Sequence, residues 1–116
     1  MRHLKKRNKI TKTSNQRRAI YRLMVSSLIL KERITTTEAK AKKIRSFLEK
    51  NISRAKQNTL ANRRFLLRHF PSKAVDKLFK ELSVRYKERA GGYSRIIKID
   101  PRKNDSARMV IIELIK

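Results

Sequence analysis

Cysteine is absent from the 116 residues, which removes a disulfide framework, a thiolate zinc site and a cysteine nucleophile together. Histidine is almost as scarce, with only His3 and His69 able to offer an imidazole. Acids number nine and are spread along the chain, several beside a lysine as Glu38 and Glu81 are. No pair of carboxylates and no His–acid spacing resembles a hydrolytic or metal site. The two glycines, Gly91 and Gly92, lack the glycine-rich context of a phosphate loop. These shortages leave no catalytic residue, no metal ligand set, no cofactor site and no small-molecule substrate to nominate. No apolar run approaches the roughly 18 residues of a membrane span, and the basic start has no signal-peptide core behind it. A soluble, intracellular protein is the expectation.

What the chain has in excess is positive charge. Lys and Arg total 33 against nine acids, a formal net charge of +24, which points to a polyanionic partner. Its length suits one compact domain. The apolar fraction of 39% is low but comes in blocks, so a small core is attainable. Self-repulsion among so many cations opposes compaction, and marginal stability is expected when the chain is unbound.

Residues 1–12 hold six cations, Arg2, Lys5, Lys6, Arg7, Lys9 and Lys12, with only Leu4 and Ile10 as sizeable aliphatics. We read them as a basic N-terminal arm, and residues 13–116 as the globular domain. Thr13-Ser14-Asn15-Gln16 has the form of a capping box opening a helix that carries Arg17, Arg18 and Arg22 near its exposed start. From Leu23 to Leu30 this helix is apolar nearly all round, which predicts a central, covered position. Glu32 to Thr36 is β-prone. A second box, Thr35 to Glu38, opens a helix to about Lys56, with Ala41, Ile44, Leu48, Ile52 and Ala55 as its buried stripe. Lys40, Lys43, Lys50 and Arg54 lie on its other side.

Thr59 can cap a short helix bearing Asn62, Arg63, Arg64 and Arg68 that stops before Pro71. Ser72 caps the next, where Ala74, Val75, Leu78, Phe79 and Leu82 oppose Lys73, Lys77 and Lys80. Arg85 to Ala90 can add a last turn before Gly91-Gly92 frees the backbone. Two strands follow, Tyr93 to Ile99 and Ala107 to Ile115, joined by a polar turn. With the Ile34 segment as third strand, the fold class is α+β: four or so helices packed on a small three-stranded antiparallel sheet.

RNA recognition needs cations along phosphate, amides and hydroxyls at sugar edges, and planar groups that stack on unpaired bases. Arg2, His3, Lys5, Lys6 and Arg7 supply the first. Asn15, Gln16, Thr36 and Thr37 supply the second, and Tyr21, Tyr86 and Tyr93 the third. Plainer readings stand beside these: His3 as a solvated arm residue, His69 as a helix-end residue, Thr36 and Thr37 as capping residues, Tyr86 and Tyr93 as core.

Several ordered segments carry a family likeness. Met1-Arg2-His3, Ile34-Thr35-Thr36-Thr37, Lys40-Ala41-Lys42, Ala61-Asn62-Arg63-Arg64, Lys77-Leu78-Phe79 and above all Arg89-Ala90-Gly91-Gly92-Tyr93-Ser94-Arg95-Ile96 resemble bacterial large-subunit ribosomal protein seventeen. The likeness runs in order over essentially the whole chain. It implies a structural α+β protein of the large ribosomal subunit in the cytoplasm, bound to large-subunit rRNA and to neighbouring large-subunit proteins near the nascent-peptide exit. Residue by residue it implies RNA contact for the arm, for Arg17 and Arg18, for the Thr36 and Lys40 region, for Arg63 and Arg64, and for Arg89, Tyr93 and Arg95. Charge and position add Lys9, Lys12, Asn15, Arg22 and Lys43 to these candidates. The chain departs from the family in having Gln16 where a His often precedes the first Arg, and Asn104 to Arg108 where the hairpin turn commonly reads Gly-Asp-Ala-Pro. Two rivals share the charge pattern: a nucleoid-type DNA-binding protein and a membrane-active cationic protein.

Overall fold

A computed structural model describes residues 13–116; the predicted arm lies outside the described residues. Helix α1 spans Ser14–Lys31, strand β1 Arg33–Thr37, helix α2 Glu38–Lys56 and helix α3 Leu60–Leu67. A single helical run then covers α4 (Ser72–Lys77), a π-helical turn (Leu78–Leu82) and α5 (Ser83–Arg85), followed by strands β2 (Ser94–Lys98) and β3 (Met109–Leu114). The sheet is antiparallel with order β1-β3-β2, so the strand latest in sequence sits in the middle. This is the α+β architecture expected from the sequence.

The first capping box forms as read: Thr13 accepts from the Gln16 N–H, and the Gln16 side chain accepts from the Thr13 N–H. The second does not. Thr35 is paired opposite Ile111 in the sheet, the strand continues to Thr37, and the helix starts at Glu38 without a side-chain cap. Ladder pairing has taken the threonines, and the Glu38 N–H is satisfied by the Arg108 carbonyl at 2.9 Å. Glu38 still suits a helix start by its charge, and pairs with Lys42 one turn on at 2.9 Å. Pro71, not Ser72, is the N-cap of α4, because the proline ring already fixes the φ of −64° that the entry requires. Thr59 caps α3 through the Asn62 N–H.

The central element is α2 rather than α1. Its stripe of Ala41, Ile44, Leu48, Ile52 and Ala55 is fully buried, and it touches α1, α3, the π-helical turn, α5 and all three strands. Helix α1 packs chiefly by Val25, Leu28 and Ile29, with Tyr21 and Met24 partly buried beside them, leaving Leu23 69% exposed. Neighbours on α2, α4 and the sheet cover one side of it, which cannot reach an apolar ring that goes all round. The core closes with Leu66, Phe70, Val75, Leu78, Leu82, Tyr86 and Tyr93 and the alternating β3 residues Val110, Ile112 and Leu114.

At the π-helical turn the Ser83 N–H reaches back five residues to the Leu78 carbonyl, while the Ser83 hydroxyl takes the Phe79 carbonyl that an α-helix would have bonded to that N–H. The helix ends at Arg85, so the extra turn to Ala90 is not helical. Gly92 (φ 65°) then turns the chain into β2. Lys77, expected on the polar face, turns inward to Glu32 at 2.9 Å and is only 18% exposed.

Candidate nucleic-acid interface

Cations cover the surface in several separate places. On the open face of the sheet, Arg95 on β2 and Arg33 on β1 flank Glu113 of β3, at 2.5 and 3.7 Å. Both are largely exposed, so each keeps donors directed at solvent. Asn15 and Arg18 are exposed on the first turns of α1, while Arg17 and Arg22 are partly covered. Lys43 is exposed and Lys40 half-buried on α2, and Arg64 is exposed on α3. Arg63, beside it, is committed within the protein: it bonds Asp76 at 2.5 Å and lies over the Phe79 ring.

Two predicted contacts change role. Thr36 is 8% exposed, because its position opposite Val110 directs it to the packed face of the sheet. Tyr93 is 1% exposed and packs on Tyr86 with ring centroids 5.0 Å apart, so it has no free face for a base. Both tyrosines follow the plainer reading, as core residues. The candidates Arg2, His3, Lys5, Lys6, Arg7, Lys9 and Lys12 lie outside the described residues.

Tyr93 has a positioning duty. Lys56 Nζ donates to its hydroxyl at 3.1 Å and to the Arg89 carbonyl at 2.5 Å, and Ser53 lies 3.4 Å away. Burial opposes ionisation of the Tyr93 hydroxyl, but the bonds to Ser53 and Lys56 and the Lys56 charge outweigh it and lower its pKa. Arg89, exposed, donates to the Gly92 carbonyl at 3.2 Å. These bonds fix the Arg89–Tyr93 turn against the C-terminal half of α2.

Between that turn and α2 lies a groove of about 880 Å³. Lys42, Arg45, Lys50 and Arg54 line it from the helix, with Glu49 the one acid. Glu49 is engaged by Arg45 at 3.4 Å and by the Ser94 hydroxyl at 3.2 Å. Ser46 and Ser53 stand between the cations, Gln57 follows Arg54, and Ala90 and Gly91 form the facing wall. Asn62 closes the end by donating to the Arg54 carbonyl and to Gln57, both at 3.2 Å. The Arg54 guanidinium lies 3.7 Å from the Phe65 ring centroid, which holds it in place.

Sequence reasoning nominated Lys40 and Lys43 from α2, placed Lys50 and Arg54 on its cationic side without nominating them, and passed over Lys42 and Arg45. The signal was available: positions 42, 45, 46, 49, 50, 53, 54 and 57 recur at helical spacing as one polar stripe. The facing turn could not be placed without the tertiary fold.

Phe65 also meets His69 edge-on at 4.7 Å. Burial first, then the charges of Arg22, Arg54 and Arg68, lower the His69 pKa and favour the neutral ring. Its Nδ1 is buried without a hydrogen-bond partner. Among the described residues no three His, Asp or Glu side chains are grouped to hold a metal ion, and no helix is long and apolar enough to cross a membrane.

The family model described as "Ribosomal protein L17" matches residues 20–115, from α1 through the end of β3. The chain belongs to the ribosomal protein L17 family. Its similarity to "Large ribosomal subunit protein bL17" of Pelobacter propionicus is 48% identity over 117 residues, covering 100% of this chain and 92% of that one. The protein of the same name from Desulforudis audaxviator is 50% identical over 103 residues, 88% of this chain and 92% of the relative. That of Staphylococcus epidermidis is 45% identical, over 92% and 97%. The L17 match spans both walls of the groove and the open sheet face.

Proposed function

We propose that this L17-family chain is a structural component of the large ribosomal subunit, in the cytoplasm, which binds large-subunit rRNA by neutralising phosphate near the nascent-peptide exit, beside neighbouring subunit proteins. It catalyses no reaction. The observation that carries this reading is a +24 charge on a chain whose relatives are named as large-subunit proteins. Residues 1–12 engage RNA together with Asn15, Arg17, Arg18, Arg22, Lys40, Lys43, Arg64, Arg89 and Arg95. Arg63 contributes through the donors that Asp76 leaves free.

The test is salt-dependent binding to protein-free large-subunit rRNA. With six to ten phosphates neutralised, affinity falls roughly 10³ to 10⁵ between about 50 and 200 mM salt. A flat response rejects phosphate clamping, and equal affinity for duplex DNA favours the nucleoid rival. Deleting residues 1–12 lowers affinity while leaving the circular dichroism of the folded body intact. Loss of that signal contradicts the division into arm and body.

A further inference from the structure

Of the two glycines, only Gly92 is required by the backbone, at φ 65°. Gly91 is outside the left-handed region, and a Cβ built on it meets nothing within 4 Å. Neither chain geometry nor internal packing accounts for a missing side chain there. Yet Gly91 lines the groove opposite α2, on a turn tied down through Lys56, Tyr93 and Arg89. A bare, fixed backbone wall is what close approach by another backbone needs.

The opposite wall suits a polyanion. Its cations Lys42, Arg45, Lys50 and Arg54 follow one another at intervals of three, five and four residues, about 4.5, 7.5 and 6 Å along the α2 axis, a spacing of the same order as neighbouring phosphates on one nucleic-acid strand. Lys50 is exposed and has no ion pair among the described residues. The lone acid, Glu49, is already occupied. Ser46 and Ser53 between the cations, and Gln57 after Arg54, offer hydroxyl and amide partners for ribose.

We propose that the groove between α2 and the Ala90–Tyr93 turn holds the sugar-phosphate backbone of one RNA strand, with phosphates on Lys42, Lys50 and Arg54 and closest approach at Gly91. This rests on the rRNA-binding reading and adds a site that reading does not assign. Shape and charge act together: the helix attracts the strand, and the glycine admits it.

The full chain is titrated with protein-free large-subunit rRNA and, separately, with poly-glutamate of matched charge. Gly91→Leu places a side chain in open space, so its melting temperature matches the parent while rRNA affinity drops at least fivefold. Should Gly91→Leu melt lower, Gly91→Ala makes the same comparison with a single methyl. Lys42→Gln combined with Lys50→Gln weakens binding and flattens the log–log salt slope by about 0.7–0.9 for each phosphate no longer neutralised. Lys73→Gln with Lys80→Gln removes equal charge from the outer face of the 72–85 helix and does less. If the glycine and groove variants bind as that control does, while the parent keeps steep salt-dependent rRNA binding, the groove proposal falls and the rRNA reading stands. If poly-glutamate binds the parent as tightly as rRNA, both fall.

Discussion

Glu32 does more for the fold than its place at a helix end suggests. It takes the left-handed conformation (φ 62°) that terminates α1, a conformation costly for a residue with a side chain. Its backbone carbonyl accepts from the Leu114 N–H, while its carboxylate takes both Arg85 nitrogens at 2.9 and 3.1 Å and Lys77 at 2.9 Å. One residue thus joins α1, the 72–85 helix and β3. Hydrogen bonds from Arg85 and then Lys77 hold its carboxyl down at about 2, against the opposing effect of burial. A carboxyl depressed on folding stabilises fully above its unfolded value of 4.5 and loses that contribution as the pH falls toward 2. Glu32→Gln therefore costs about 1–3 kcal/mol at pH 7. The gap from the parent narrows as pH is lowered from 4.5, which urea denaturation across that range measures.

At the scale of elements, the π-helical turn sets the geometry of the longest interrupted helix. It accommodates one residue beyond α-helical spacing while Leu78, Phe79 and Leu82 all stay buried. Deleting exposed Lys80 should restore α-helical bonding and keep both flanks facing the core. Deleting Lys50 rotates the rest of α2 by about 100° and exposes Ile52 and Ala55. Thermal melting of the two deletions should show a far smaller loss for the first. Sequence periodicity made the elements legible where one physical preference acts alone: the Thr13 box, the Ala41-to-Ala55 stripe, the alternation of Val110, Ile112 and Leu114. It misled where two compete, as at Thr35–Thr37, whose capping chemistry yields to strand pairing, and at Leu23, whose hydrophobicity is left uncovered. The candidate interface was legible as charge but not as shape. Which cations lack an ion pair among the described residues, as Lys50 does, and which are committed, as Arg63 and Lys77 are, depends on partners far away in sequence.

For the whole molecule, charge dominates. Nine acids cannot neutralise 33 cations, so folding gathers like charges without compensation. Raising salt from about 20 to 300 mM should increase the melting temperature of the free protein, because screening shortens the reach of that repulsion. An unchanged or falling melting point means the internal ion pairs outweigh it. The same salt weakens the proposed RNA complex, so free and bound protein respond with opposite sign. Sheet topology governs the order of assembly as well. Both β1 and β2 find their hydrogen-bonded partner only in β3, and β1 must wait some seventy residues for it. During synthesis no strand can pair before Met109–Leu114 emerges, and helices alone must shield the growing chain until its closing segment slides between the two waiting edges.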